Sequence, residues 1–349
     1  MSKDIRISAV DLNSFTKEVF ISVGLPPEDA EIEAELFVWA NLRGIDSHGV
    51  LRIPFYIDAV EKGLMNPNPN IEVLNETSAT VMYEADRAFG PVVTTRVMKH
   101  VISKAKDSGI CWGLIKDTTH QGAMAYYSLM AAEASMAGIA IVCSPPNMAI
   151  HGSKSPGAHN SPISIAVPAM KENHLVLDMA TSVAAAGKIS VAKDKGISIP
   201  SDWALDSTGV PTTDPSLATI LLPAGGPKGS GLALMFESLS SIMAGNPLLA
   251  PNLTGKQAER RIIQNSIVVA IDISAFTDIT KYRLNIDDLV KNLKTLPKAE
   301  GVEESFVPGE PESRVYKDRS KNGIPVPLGT LSNLEVVSKK LGTVMPKIL

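Results

Sequence analysis

The feature that most constrains this chain is a change of sequence period. From residue 71 to residue 271, short apolar runs alternate with longer segments of helical period. That alternation leaves an α/β body as the fold class. The strand-like runs are "NIEVLN", "ATVMYEA", "ICWGLIK", "IAIVCS", "SPISIAVP", "HLVLDMA" and "SIVVAID". Between them, "GPVVTTRVMKHVISKAKDSG" reads as a helix with Pro91 near its start, a Val93, Val97 and Val101 stripe, and Gly109 at its end. "GAMAYYSLMAAEASMAG", "SVAAAGKISVAKDKG" and "KGSGLALMFESLSSIMAG" also read as helices, and "DWALDSTGVPTTDP" as a turn-rich hairpin.

Ahead of this body the pattern is helical. "SAVDLNSFTKEVFISVG" is predicted as a helix capped by Ser8 and stopped by Gly24. "PPEDAEIEAELFVWANLRG" follows, opened by Pro and acids, striped by Ile32, Leu36 and Trp39, and ended by Gly44. A short third helix carries Arg52 through Gly63, with Pro54 in its first turn, where a missing N–H is tolerated. "NPNPN" at 66–70 breaks the chain. Beyond residue 290 the chain is predicted to be charged and loop-rich until a last helix, "LSNLEVVSKKLG". No internal repeat is visible. At about 150 residues per domain, 349 residues predict two domains.

Composition removes several classes of function. Hydrophobic residues at 44% and charged residues at 20% are those of a globular protein in water. A net charge of -4 argues against a nucleic-acid binder, which needs a basic face. No apolar run reaches the ~18 residues of a membrane span, and "MSKDIRISAVDL" has no secretory apolar core. Cys111 and Cys143 sit in apolar surroundings and read as buried free thiols, with no disulfide or metal. A cytoplasmic protein is expected. Motifs with a fixed chemistry are missing: no G-x-G-x-x-G, no P-loop, no G-x-S-x-G, no H-E-x-x-H and no paired C-x-x-C occur.

Four strings hold residues suited to a site. In "GIDSHGVLRIPFY" (44–56), Arg52 and Tyr56 are four apart and hence on one helix face, with His48 just ahead. A guanidinium suits a carboxylate because it donates two parallel hydrogen bonds. The competing view is a surface Arg52 paired to Asp46, Asp58 or Glu61. In "KDTTHQGAMAYY", His120 falls between a strand end and a helix start, with the one side chain whose ordinary pKa suits proton transfer near neutrality. In "LVLDMATS", Asp178 ends a strand ahead of a helix, where it could order a His, cap that following helix or bind a ribose hydroxyl. In "PAGGPKGSGLAL", Lys228 and the loop amides could meet phosphate, or the loop could simply be flexible.

The strings "RGIDSHGVLRIPFY", "THQGAMAYY", "LDMATS" followed by "GK", "IPSDWALDSTGVPTTDP" and "PAGGPKGSGLAL" stand in an order that resembles the malate/L-lactate dehydrogenase-type oxidoreductases. That group includes ureidoglycolate and sulfolactate dehydrogenases, diketogulonate reductase and piperideine-2-carboxylate reductase. The likeness runs from about residue 10 to about residue 315. It implies a non-Rossmann, largely antiparallel α/β sheet that binds NAD or NADP, which accounts for the absent G-x-G-x-x-G. It also implies a homodimer with sites near the subunit interface, a helical domain over 1–74 completed by 310–349, and an α/β cofactor domain over 75–309. By the resemblance, Ser47, His48, Arg52 and Tyr56 hold the substrate carboxylate and hydroxyl, with Gly49 completing the S-H-G string. His120 matches the acid/base residue; a His48–Asp178 pair is its rival. Ser144, Asp178, Met179, Ala180, Lys228, Gly229, Pro308, Gly309 and Glu310 match cofactor contacts. One segment departs: where relatives carry G-T-N-P, this chain has "HNSP", His159 to Pro162. The expected activity is hydride transfer between NAD(P) and a small 2-hydroxy acid. Reduction of a cyclic 2-imino acid, a cofactor-free lyase or isomerase on an anionic substrate, and a non-catalytic sensor are the alternatives.

Overall fold

The computed structural model describes residues 5–249 and 262–349. Its main sheet holds seven strands in the order β2 (Glu72–Glu76), β3 (Thr80–Glu84), β4 (Ile110–Thr118), β12 (Gln264–Ile271), β5 (Ala137–Cys143), β8 (Ile163–Val167) and β9 (Leu175–Met179). Only β3 and β4 run parallel, and their connection contains α4 (Gly90–Ser108). A parallel pair needs such a crossover to bring the chain back. The remaining neighbours are antiparallel, in line with the largely antiparallel sheet that the resemblance implied. β12 comes late in the chain but sits centrally, with seven of its eight residues buried. That is why "SIVVAID" is continuously apolar and does not alternate.

Helices cover both faces. On one side α4 and α5 (Ala125–Glu133) pack Val93, Val97, Val101 and Tyr127 against Ala140 and Val268. On the other, Phe236 and Leu248 close over Leu114, Ile141, Ile267 and Val269. Phe236 belongs to α7 (Pro227–Glu237), which continues as a π-helical turn, Ser238–Ile242. Beside this body, β10 (Ala204–Leu205), β11 (Ile220–Leu221), β6 (Met148–Ala149) and β7 (Pro156–Ala158) form a small sheet. It packs on α6 (Ala186–Lys195) through Ile189 and Ala192. The turn after β10 is held by the Asp206 carboxylate, which accepts from the N–H groups of Thr208 and Val210. Cys111 and Cys143 are free and buried, as read from their surroundings.

The N-terminal helices α1 (Ala9–Ser22), α2 (Pro27–Leu42) and α3 (Ile53–Glu61) share one core around Phe15, Phe20, Phe37, Tyr56 and Phe89. Ser8 caps α1 by accepting from the Asp11 N–H. The C-terminal segment returns to the same core. β13 (Ile324–Val326) pairs antiparallel with β1 (Ile5–Ile7), and α10 (Leu328–Leu341) adds Leu331, Leu334 and Val337.

Two expectations need correction. The stretch beyond residue 290 is not loop-rich: α8 (Ile279–Thr295) already runs through it, and α9 (Glu310–Asn322) follows. In α9 only Ser313 is buried, so it carries no apolar stripe. Acids in its first turn, bases in its last and the Glu310–Arg314 pair at i,i+4 favour the helix instead. In α2 the buried positions include Ala30, Glu33, Ala34, Leu36 and Phe37, while Ile32 and Trp39 are only partly covered. Neighbours surround this helix on several sides, so no single stripe defines it. β1 and β13, three residues each, are too short to show a period.

Gly138 in β5 marks the closest approach of α5 to the sheet, since a Cβ there would collide with the backbone carbonyl of Ser128. Gly138→Ala is expected to cost about 1–3 kcal/mol, read as a lower urea midpoint. An unchanged midpoint would mean that α5 can lift off the sheet freely.

Candidate active site

The stretch 44–56 is not one helix. Asp46–His48 and Val50–Arg52 are separate 3-10 turns, divided by an extended Gly49, and α3 starts only at Ile53. The division comes from α2. The Asn41 amide donates to Asp46 Oδ1 at 2.6 Å and accepts from the Val50 N–H at 2.9 Å. A Cβ on Gly49 would occupy the place of that side chain, so the glycine of S-H-G serves packing.

The acids that could have paired with Arg52 are engaged elsewhere. Asp46 accepts two hydrogen bonds from Arg319 of α9, at 2.7 and 3.0 Å. Asp58 pairs with Lys62 and Glu61 with Lys340. Arg52 donates from Nε to the Ser47 carbonyl at 2.7 Å and meets no carboxylate among the described residues. The reading of Arg52 as one half of a surface ion pair is therefore overturned. Its guanidinium is braced along one edge and keeps its terminal N–H groups for an anion.

Tyr56 also departs from expectation. It was placed with Arg52 on the substrate wall. Instead it is fully buried and lies behind His120. Its hydroxyl is 2.8 Å from His120 Nδ1 and 2.9 Å from the His120 carbonyl. A carbonyl can only accept, so the one phenolic proton goes there, and Nδ1–H then donates to the phenolic oxygen. The Gly122 N–H, at 3.3 Å from Nδ1, is the weaker competitor. The two shorter contacts favour the Nδ1–H tautomer, in which Nε2 is a lone pair, while the Gly122 N–H favours the other; Nε2 has no protein partner among the described residues. His48 stacks on His120 at 5.5 Å between ring centres and 17° between planes, and its Nδ1 is 2.9 Å from Ser47 Oγ.

Burial sets the electrostatics. It holds His120 well below its ordinary value of 6.5, helped by His48 and Arg52. It takes His48 down to about 4, again with Arg52 contributing, and His159 down to about 3. Buried imidazoles resist charging because the charged form loses its hydration. Burial also raises Asp178 to about 7, opposed by a hydrogen bond from the Ala125 N–H and reinforced by Glu312. Asp178 Oδ2 accepts that N–H at 3.0 Å, at the start of α5. Asp178 thus holds the start of α5, not of α6, the helix that follows it in the chain and whose N-cap Ala185 has no side-chain cap, and no hydrogen bond joins it to His48.

These groups face a cavity of about 1210 Å³. It brings together Ser47, His48, Arg52 and His120 with Asp178, Met179, Ala180 and Gly309, and the departing His159 is also on the wall. Ser144, Lys228, Gly229 and Glu310 do not line it. Lys228 is exposed. Gly229 packs so close to the Thr181 carbonyl that a Cβ would collide with it. Glu310 is held between Lys294 and Arg314. Asn160, in the departing segment, also lines the cavity, and sequence reasoning missed Asn147 and Gln264, which line it too. Gln264 begins β12, and only its position at a strand end could have drawn attention to it. Its Oε1 is buried without a partner. The cavity far exceeds a three- or four-carbon acid, and this orphaned acceptor suits the amide donors of a carboxamide-bearing ring. On both counts a nicotinamide cofactor fits.

Comparison with known proteins agrees. The profile of the malate/L-lactate dehydrogenase family matches residues 7–335. L-sulfolactate dehydrogenase of Methanocaldococcus jannaschii is 37% identical, covering 93% of this chain and 94% of that protein. Ureidoglycolate dehydrogenase (NAD(+)) of Escherichia coli K12 is 31% identical, covering 92% and 93%. The crystal structure of malate dehydrogenase from Entamoeba histolytica superposes with a TM-score of 0.91 at 26% identity, over 99% of this chain and 100% of that one. Fold, cavity and relatives define a nicotinamide-dependent hydroxyacid dehydrogenase built without a Rossmann motif. The chain belongs to the malate/L-lactate dehydrogenase family.

The buried imidazoles have a consequence for stability. An unfolded His titrates near 6.5, whereas folded His48 titrates at about 4. Between those values the unfolded chain binds more protons, so stability falls as pH drops from 6.5 towards 4. Asp178 acts in the opposite sense: raised from 3.8 to about 7, it stabilises below 3.8 and loses that contribution as pH rises through 7. The test is therefore variant against parent. His48→Gln is expected to flatten the decline in melting temperature between pH 6.5 and 4.5; an equal decline in both would contradict a neutral, buried His48.

Proposed function

We propose that this chain oxidises a small 2-hydroxy acid, and reduces the corresponding 2-oxo acid, with His120 as acid and base. The observation that carries this is the Tyr56–His120 pair, whose two short contacts favour an imidazole lone pair at Nε2. In oxidation, Nε2 takes the hydroxyl proton; in reduction, it returns it to the carbonyl oxygen. Arg52 binds the carboxylate and fixes C2 against the wall formed by Ser47 and His48. Fixing two reacting centres in this way can lower a barrier by several kcal/mol, about 7–11 in ideal cases. Asp178 to Ala180, Gly309, Asn160 and Gln264 are the residues that would hold the cofactor. When bound, the nicotinamide supplies the hydride chemistry. Tyr56 is a positioning residue in this scheme, and it takes over the orienting role that the rival His48–Asp178 pair would have filled.

The assembly is proposed to be a cytoplasmic homodimer. Leu232, Met235, Leu239, Ile242 and Met243 lie exposed at helical spacing along α7 and the π turn. Such a stripe is an unpaired apolar face, and a second copy of the chain would cover it. The helical domain over 1–74 and 310–349 is likewise proposed as a unit, on the strength of the core it shares. No helix among the described residues is long and apolar enough to cross a membrane.

A panel of 2-oxo acids and a cyclic 2-imino acid, scored with NADH and NADPH, gives the substrate class. Turnover of 2-oxo acids supports this assignment; exclusive turnover of the imine would replace it. His120→Ala is expected to lower kcat by about 10²–10⁴-fold, and Arg52→Lys to raise KM and lower kcat. Near-parental kinetics for both would overturn the roles. An anion on Arg52 offsets part of the charge that depresses His120. For oxidation, the low-pH limb of kcat is therefore expected at higher pH than that of kcat/KM; coincident limbs would contradict Arg52 as the carboxylate site. Met235→Glu with Leu239→Glu is expected to shift a dimer to monomer in light scattering, and a monomeric parent would remove the dimer.

A further inference from the structure

The cavity wall holds a second arginine, the first residue of "RGIDSHGVLRIPFY", to which neither the motif nor the scheme above gives a role. Arg43 ends α2 and lines the cavity. Its guanidinium carbon stands 4.9 Å from the centre of the Trp39 ring and 5.6 Å from that of Tyr316 in α9. The guanidinium is thus held beside two rings by cation–π contact, which uses none of its N–H groups as donors to an oxygen acceptor. No hydrogen bond or ion pair reaches those donors among the described residues, and Nε is buried without a partner.

The contrast with the other arginines is sharp. Arg314 pairs with Glu304 and Glu310, Arg319 with Asp46, and Arg96 with Asp29. Arg283 donates to the Ala169 carbonyl, Arg87 to that of Gly63 and Arg6 to that of Gly323. Arg52 has Ser47. Arg43 alone, among the described residues, has no acceptor. Burial works against its charge, and Glu312 and Glu133 lie near enough to favour it without forming an ion pair. A cation placed in a cavity wall at this cost, stacked and unpaired, is suited to a ligand that brings its own oxygens.

The geometry points to Arg43 as a phosphate site for the dinucleotide cofactor. This rests on the cofactor cavity proposed above. The substrate carboxylate already has Arg52, and a dinucleotide carries at least two phosphates that need donors. Glu312, which acts on Arg43, lines the same cavity as Pro308 and Gly309, two of the residues matched to cofactor contacts. Two phosphate sources share this chemistry: the diphosphate, common to NADH and NADPH, and the 2′-phosphate, present only in NADPH.

Binding can be read without turnover, because Trp39 touches the guanidinium. Tryptophan fluorescence of the intact protein is titrated with NADH and with NADPH, in the parent and in Arg43→Met, which keeps an apolar stem between the two rings. At least tenfold weaker binding of both cofactors is expected if Arg43 holds the diphosphate, and of NADPH alone if it holds the 2′-phosphate. Unchanged Kd values for both, with the parent binding normally, overturn the assignment. A parent that binds neither cofactor overturns the proposed function as well, so the two failures are distinguishable. Should Arg43→Met not fold, Arg43→Lys retains the charge but not the planar fork and is expected to weaken binding to a lesser degree. The parent is also expected to bind inorganic pyrophosphate saturably and in competition with NADH; absence of competition counts against the site.

Discussion

The arrangement depends on one pair of hydrogen bonds, those between Tyr56 and His120. Tyr56 sits in the aromatic core that α1, α2 and α3 share with the C-terminal segment. His120 follows β4, a strand of the main sheet. The pair therefore joins the helical core to the sheet at the point where chemistry is proposed. Because the hydroxyl also binds the His120 carbonyl, it fixes ring orientation and proton position together. Neither core could shift far against the other without losing that setting, which ties catalytic geometry to folding.

Low polarity around the site gives the arrangement its selectivity. His48, His120 and His159 are all pushed towards the neutral form, and Asp178 towards the protonated one. Of the charged groups on the wall, Asp46 is taken up by Arg319 and Lys188 is exposed, whereas Arg43 and Arg52 meet no carboxylate among the described residues, with Glu312 as the acid nearest Arg43. Such a cavity favours anions, because burial barely weakens the charge of an arginine but neutralises imidazole and carboxyl. A small acid on Arg52 and phosphate on Arg43 would complement it in the same sense.

Much of this was legible in the sequence, and the gaps have physical causes. The order of S-H-G-x-x-R, T-H-Q-G and D-M-A was enough to locate the wall, and the valine stripe of α4 faces the core as read. Period could not reveal α9, whose stability comes from ends and ion pairs. Sequence spacing put Tyr56 beside Arg52, but it could not show that one points into a core and the other into a cavity. Asp46 looked like a partner for Arg52 because it is near in sequence; its real partner, Arg319, is 273 residues away. Gln264 carries no motif, and Arg43, though it opens "RGIDSHGVLRIPFY", is given no role by it; their unpartnered atoms become visible only when every neighbour is placed.

In the proposed scheme Tyr56 holds His120 as the neutral Nδ1–H tautomer with Nε2 free. The most direct test is the pair of ¹⁵N chemical shifts of the His120 ring in the cofactor-free protein at pH 7, assigned by comparison with His120→Gln. A pyrrole-type shift at Nδ1 and a pyridine-type shift at Nε2 are expected, with the Nδ1 proton protected from exchange. The reverse pattern, or an imidazolium at that pH, would mean that Tyr56 does not set the proton on His120.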